Sequence, residues 1–232
     1  MTEALIVRPL RCGHCGGELP VMGQLVTFRC PACLRYWVIA HDALEPITVH
    51  RAVPENAGES ASSASDLIYL PFWVVDVDGA GLRREIDGAA NTFPATSEIS
   101  YLSERLAGLG VLRVYIPAFR SLNTYAYLKV GRLLTRIQPS FALERSEGTG
   151  RTILCALLAE QAVALMDFIF FATLPGSIQS NGDLLEQVHL KPMRPPCLVE
   201  FPFVERGASL VSIIGGFWIS GRLVEGVESL VE

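Results

Sequence analysis

Apolar and polar positions along the chain follow two rhythms, and each predicts its own kind of element. The densest apolar run is Leu67 to Val77, LIYLPFWVVDV, too apolar for a strand wet on one face. It predicts a strand covered on both sides, or one covered by a partner. Pro71 inside it points to a sheet edge or a bulge. Val111 to Phe119, VLRVYIPAF, reads as a second strand with an embedded proline. Shorter β-prone runs lie at Leu25 to Phe28, Tyr36 to Ala40, Ile47 to His50, Leu82 to Ile86, Phe141 to Leu143, Cys197 to Val204, Leu210 to Ile214 and Trp218 to Leu223. Tyr69-Leu70-Pro71-Phe72, Tyr115-Ile116-Pro117-Ala118-Phe119 and Phe201-Pro202-Phe203 each place a proline between aromatic residues of a strand. Two explanations stay open, a duplicated β unit and the habit of proline to mark strand edges.

The helical rhythm appears at Ser97 to Leu109, with Ile99, Leu102, Leu106 and Leu109 on one stripe. It returns at Leu122 to Ile137, where positions 122, 126, 130, 133, 134 and 137 are apolar and Pro139 ends the run. A long helix is expected from Thr152 to Thr173, stopped before Pro175, and a short one at Leu184 to His189 after the turn Ser180-Asn181-Gly182-Asp183. The window Ile153 to Leu174 has the length of a membrane span, but Glu160, Gln161 and Asp167 interrupt it. One central Asp costs ~2.5–3.5 kcal/mol on insertion, so a buried helix is expected there.

Four of the six cysteines form two pairs, Cys12-x-x-Cys15 and Cys30-x-x-Cys33, separated by Gly16 to Arg29. A CxxC pair fits a tight turn that aims both sulfurs at one ion, and two facing turns make a closed tetrahedral thiolate set suited to zinc. Gly16 and Gly17 can take the positive φ that the chain needs after the first turn. Leu34 stands where many such segments have glycine. Rubredoxin-type iron uses the same four ligands and stays open. A disulfide pair is disfavoured because MTEALIVRPL does not have the form of a signal peptide, and a redox-active CxxC normally occurs singly. Four protein ligands leave no position for substrate, so the expected role of the metal is structural. His14, inside the first turn, is expected at the surface. Cys155 and Cys197 sit in apolar surroundings and are expected to be inert.

Cys12-Gly13-His14-Cys15-Gly16 and Cys30-Pro31-Ala32-Cys33 resemble a zinc ribbon. The resemblance implies a small β module holding one zinc ion; ribbons serve in transcription, translation and many enzymes, so it implies no single activity. The YLPFWVVDVD strand after the ribbon loosely resembles bacterial zinc-ribbon proteins of unassigned role whose second domain carries a similar PFW strand. The expected fold class is α+β. A small N-terminal β ribbon spans residues 1–51, with Trp37 under its knuckles. The small polar stretch AVPENAGESASSAS, residues 52–65, is a flexible linker. A mixed domain with a sheet and three to four helices spans residues 66–232.

Composition changes this picture in one respect. A net charge of −5 is the wrong sign for a general nucleic-acid binder. Yet between Glu104 and Glu144 every charge is positive: Arg105, Arg113, Arg120, Lys129, Arg132 and Arg136. Lys129, Arg132 and Arg136 share a helix face by spacing, and with Arg120 they make a candidate surface for phosphates, lipid headgroups or an acidic partner. The alternative is a solvated face balanced by carboxylates from elsewhere. Glu160 and Asp167 fall on one face of the long helix, as acid–base candidates or, by the plainer reading, as anchors for neighbouring arginines. No GxxxxGK, HExxH or GxSxG motif is present. The chain is expected to be a non-catalytic, cytoplasmic zinc-ribbon adaptor or assembly subunit acting through a protein partner. A nucleic-acid-associated regulator and a peripheral membrane factor are the alternatives.

Overall fold

The computed structural model describes residues 9–20, 25–55, 66–90, 104, 106, 108, 110–121, 123–146, 150–174, 176–179, 186 and 188–224. The architecture is α+β, with a small antiparallel sheet near the N-terminus and a mixed eight-stranded sheet flanked by helices. The small sheet has the order β1 (Thr27–Arg29), β2 (Tyr36–Ala40), β3 (Ala43–Ile47). His41 and Asp42 join β2 to β3 at φ 50 and 60. Two successive positive φ values give a hairpin turn whose twist matches that of the strands.

The strand expected over Ile47 to His50 is divided between two sheets. Ile47 ends β3, and after Thr48 the chain enters β4 (Val49–Val53), which pairs parallel with β9 (Cys197–Arg206) and antiparallel with β7 (Ala142–Arg145) of the large sheet. Val49 and Ala52 are buried there. The first two residues of the expected linker, Ala52 and Val53, thus belong to β4, and residues 56–65 lie outside the described residues.

The large sheet is built on the antiparallel pair of β5 (Leu67–Asp78) and β9. Beyond β5 lie two strands end to end, β8 (Arg151–Thr152), then β6 (Val111–Pro117). Beyond β9 lie β4 and then β10 (Ser209–Ser212), which pairs with β11 (Trp218–Ser220). β5 is covered on both faces, as its composition predicts. Ile68, Leu70, Phe72 and Val74 face one core, and Trp73, Val75 and Val77 face the other.

Pro71 is neither at a sheet edge nor in a bulge. It sits where the outer side of β5 passes from β8 to β6, a gap at which no donor is needed, and its carbonyl accepts the Ala118 N–H at 2.9 Å. Pro202 does the same on β9, between β4 and β10, its carbonyl accepting the Ile213 N–H at 3.1 Å.

On one face, α1 (Gly79–Ala90) and α3 (Ala159–Phe171) cover the sheet through Leu82, Ile86, Ala162, Met166 and Ile169. Leu82 to Ile86 is therefore helix and not the expected strand, because its two buried residues lie four apart on one helical face. The long helix starts later than Thr152. Its first expected residues form β8 and an extended segment whose backbone bonds β5, β1 and the chain after β6. The other face carries the second core, with Val130 and Leu134 of α2 (Thr124–Ile137). The sheet curls around an aromatic cluster, so that Phe141, beside β7, lies 6.4 Å from Tyr115 of β6 and 5.1 Å from Phe201. A single turn, α4 (Gly176–Gln179), follows α3. Of the helix expected at Leu184 to His189 only Glu186, Val188 and His189 are described, Glu186 as helix and the other two not, and most of that expected at Ser97 to Leu109 lies outside the described residues. No helix among the described residues is long and apolar enough to cross a membrane.

Candidate metal centre

Each knuckle begins at a cysteine whose backbone closes the turn. Gly16 N–H bonds the Cys12 carbonyl at 2.9 Å, and Leu34 N–H bonds the Cys30 carbonyl at 2.9 Å. Gly16 and Leu34 both have positive φ, 73 and 60. Leu34 thus occupies the position that glycine fills in the first knuckle, in the left-handed conformation that disfavours a side chain by roughly 1–2 kcal/mol.

The two turns face one another. The Cys12 and Cys33 sulfurs are 3.6 Å apart, those of Cys15 and Cys30 3.5 Å, and all four lie within 4.8 Å of one another. A tetrahedral ion with ~2.3 Å metal–sulfur bonds requires sulfur–sulfur edges of ~3.8 Å, so the set fits one ion with little movement. Cys12 and Cys30 are buried, Cys33 half-buried and Cys15 exposed. His14 is exposed and outside the sulfur cluster.

Without a metal the four thiols hold unlike affinities for protons. Burial pushes the Cys12 thiol up, but the backbone N–H groups of Cys15 and His14 outweigh it and bring the pKa down to about 6. Cys30 is lowered in the same way, burial being outweighed by the N–H groups of Cys33 and Ala32. Cys33 has the Arg35 N–H favouring its thiolate, yet burial and the neighbouring sulfurs push it up to about 12. The first sulfur of each knuckle receives the donors of its own turn, so it ionises first, and a cation is what lets the second follow.

The knuckles rest on a miniature core of Leu19, Phe28 and Trp37. A Cβ on Gly13 would come within 2.6 Å of the Trp37 ring, so glycine there lets the first knuckle sit flat on the indole. This small sheet is joined to the large one. The Val26 and Thr27 N–H groups reach the Cys155 carbonyl at 2.9 and 3.2 Å, and the Cys155 N–H reaches the Thr27 hydroxyl at 2.8 Å. Tyr36 of β2 enters the core of the larger body and donates to Glu200 Oε1 at 2.7 Å. Glu200, 1% exposed, also accepts from Ser146 Oγ at 2.6 Å and pairs with Arg51 at 3.2 Å. The Arg51 guanidinium lies 3.6 Å over the Tyr69 ring. This buried set was not foreseen. Its members come from five segments of the chain, and the one sequence signal was a glutamate in an otherwise apolar strand, LVEFPF.

The other expected residues lie on α3, on α2 and just before α2. Glu160 is exposed at the start of α3, and Asp167, half-buried, accepts the Leu190 N–H at 3.0 Å and lies 3.5 Å from His189. Among the described residues, the partners of Asp167 are thus a backbone amide and a histidine, not arginines. Lys129, Arg132 and Arg136 are exposed on α2, and Arg120 is half-buried beyond its start. Cys155 is buried, with its thiol pushed up to about 12 by that burial, and burial also raises Cys197. Comparison with protein-family models, curated proteins and solved structures returns no match.

Proposed function

We propose that the N-terminal module is a zinc ribbon and that the chain is a cytoplasmic adaptor or assembly subunit working through protein contacts. The closed four-sulfur cluster carries this reading. Four thiolates fill a tetrahedral ion and leave no position at which a substrate could be activated. Among divalent ions, zinc suits that donor set and its structural use. A contact surface is offered by Trp218, 68% exposed on an outer strand, together with Ile213 at 40%. Exposed tryptophan is a residue type that anchors protein interfaces.

The test is affinity capture from the native host with quantitative mass spectrometry, using the wild type and Trp218→Ala, with metal analysis on the same samples. A stoichiometric partner held by the wild type and lost in the variant supports the adaptor. A chain that stays monomeric at high concentration and retains nothing overturns it, and iron in place of zinc overturns the metal assignment.

The exposed basic face of α2 favours a second reading, a regulator that touches nucleic-acid phosphates. Such binding weakens steeply with salt, and no binding to duplex or single-stranded probes at low salt removes this reading. Flotation with anionic vesicles would separate it from a peripheral membrane role.

A further inference from the structure

Between the second knuckle and the large sheet runs a cleft of about 480 Å3. Leu34 and Ile47 give it apolar walls, Tyr36 and Ser146 form its floor, and Arg35 and Arg145 are the charged side chains lining it. The floor hydroxyls are already committed, because both donate to the buried Glu200 carboxylate. Glu200 in turn is paired with Arg51, so the negative charge beneath the floor is offset from within. What the cleft offers a visitor, beside apolar wall, is the exposed Arg35 guanidinium, with Arg145 adding charge beyond the contact it already makes.

We propose that this cleft binds a small organic anion, a carboxylate or phosphate head carried on an apolar body. Its volume falls within the range of small-molecule sites. Guanidinium is the side-chain group best shaped to grip a carboxylate or phosphate through paired N–H donors. Leu34 supplies an independent reason. Its backbone is held in the left-handed region at φ 60, yet its side chain stays 43% exposed. The ribbon core gains little from a leucine at a position where glycine would relieve strain, whereas a ligand with an apolar body would gain a wall.

One term opposes the proposal. Four thiolates around a divalent ion leave two net negative charges on the knuckles, and Cys33 borders the same cleft. The arginines must offset that field before they attract an anion, so the binding is moderate and weakens with salt.

The test is isothermal titration of the metal-loaded full chain with phenyl phosphate, phenylbutyrate and inorganic phosphate. Phenyl phosphate is expected to bind one to one, with inorganic phosphate roughly tenfold weaker or more. Arg35→Ala and Arg145→Ala are each expected to weaken phenyl phosphate by about tenfold or more. Leu34→Gly keeps the knuckle geometry and should weaken phenyl phosphate but not inorganic phosphate. Metal content and thermal midpoint are measured on every variant. Arg35 is an exposed knuckle residue, so its variant decides the matter if the β7 variant misfolds. Absence of saturable heat with all three anions, or wild-type affinity in Arg35→Ala, overturns the proposal. Equal affinity for inorganic and phenyl phosphate overturns the amphiphilic part.

Discussion

Among the residues that link the metal module to the rest of the protein is Tyr36, and its chemistry is readable in numbers. Burial first, and then the Glu200 charge, push its pKa up to about 12 from an ordinary 10.0. The native state therefore prefers the neutral phenol. Its contribution to stability is fully present below pH 10 and is lost as pH rises from 10 to 12. The urea midpoint should fall across that window, and Tyr36→Phe should flatten part of the fall; Tyr115 and Cys155, each pushed up to about 12 by burial, and Tyr127, raised by burial as well, keep the rest. A slope unchanged in Tyr36→Phe would contradict the assignment. At neutral pH, Tyr36→Phe removes one donor from a buried carboxylate and should cost about 1–3 kcal/mol. Glu200→Gln leaves Arg51 without its counter-charge and should cost about 3–5 kcal/mol. The double variant should cost less than the sum, because both changes act on one network; denaturant melts of all three check this. The ligand cysteines were legible at this scale because their spacing is local. The Tyr36–Glu200 contact was not, since its partners are 164 positions apart and nothing in either segment names the other.

Elements show which patterns in a sequence are ambiguous. Leu82 and Ile86 suit a strand by composition, but their spacing of four suits a helix better, and the helix formed. The repeated aromatic–proline–aromatic pattern also resolves at this scale. Pro71 and Pro202 each interrupt donor supply where two neighbouring strands meet end to end, so on the two central strands proline marks a seam and not an edge. The free side of β6 is managed differently. Helix α2 runs along it, and side chains of the helix and of Gln138 just after it take the place of a strand. Thr135 Oγ1 accepts the Tyr115 N–H at 3.0 Å. Gln138 accepts the Arg113 N–H at 3.0 Å and donates to the Arg113 carbonyl at 2.6 Å. The apolar stripe that predicted α2 was visible in the sequence; the polar groups that fix its position on the sheet were not, because nothing local marks Thr135 or Gln138 as strand mimics. An uncovered edge is a template for aggregation. Thr135→Val keeps the shape of the side chain but leaves the Tyr115 amide unpaired, at a cost of about 1–3 kcal/mol. Hydrogen exchange should show faster exchange at Tyr115 in Thr135→Val and at Arg113 in Gln138→Ala, with the β5–β9 amides unchanged. Uniform acceleration across the sheet would mean that α2 has a global role and not an edge-specific one.

Across the whole molecule, the question is whether the metal module unfolds alone. The two sheets share more than a chain connection. Only Thr48 separates β3 from β4, β1 is bonded through Val26 and Thr27 to Cys155, and Tyr36 and Val49 belong to the same core as the β5 and α3 side chains. Melting of the ribbon would strip Glu200 of a donor and open the apolar wall that Tyr36 covers. Binding of a structural ion by four thiolates contributes on the order of 10–16 kcal/mol of folding free energy. With this joint, part of that energy reaches the large sheet and does not stay in the ribbon. Removal of the metal by a strong chelator, or Cys30→Ser, should therefore lower the midpoint of the main unfolding transition, with one calorimetric peak and not two. Trp37 is 8% exposed and Trp73 3%, whereas Trp218 is already exposed. Tryptophan emission should shift to longer wavelength on metal loss below the main transition, reporting Trp37 as the knuckles release it. A second, later peak at the midpoint of the metal-loaded protein would show that the large sheet is indifferent to the ion and that the joint transmits nothing. A single lowered peak, restored by adding zinc back, would show that four sulfur atoms of the small module set the stability of the large sheet.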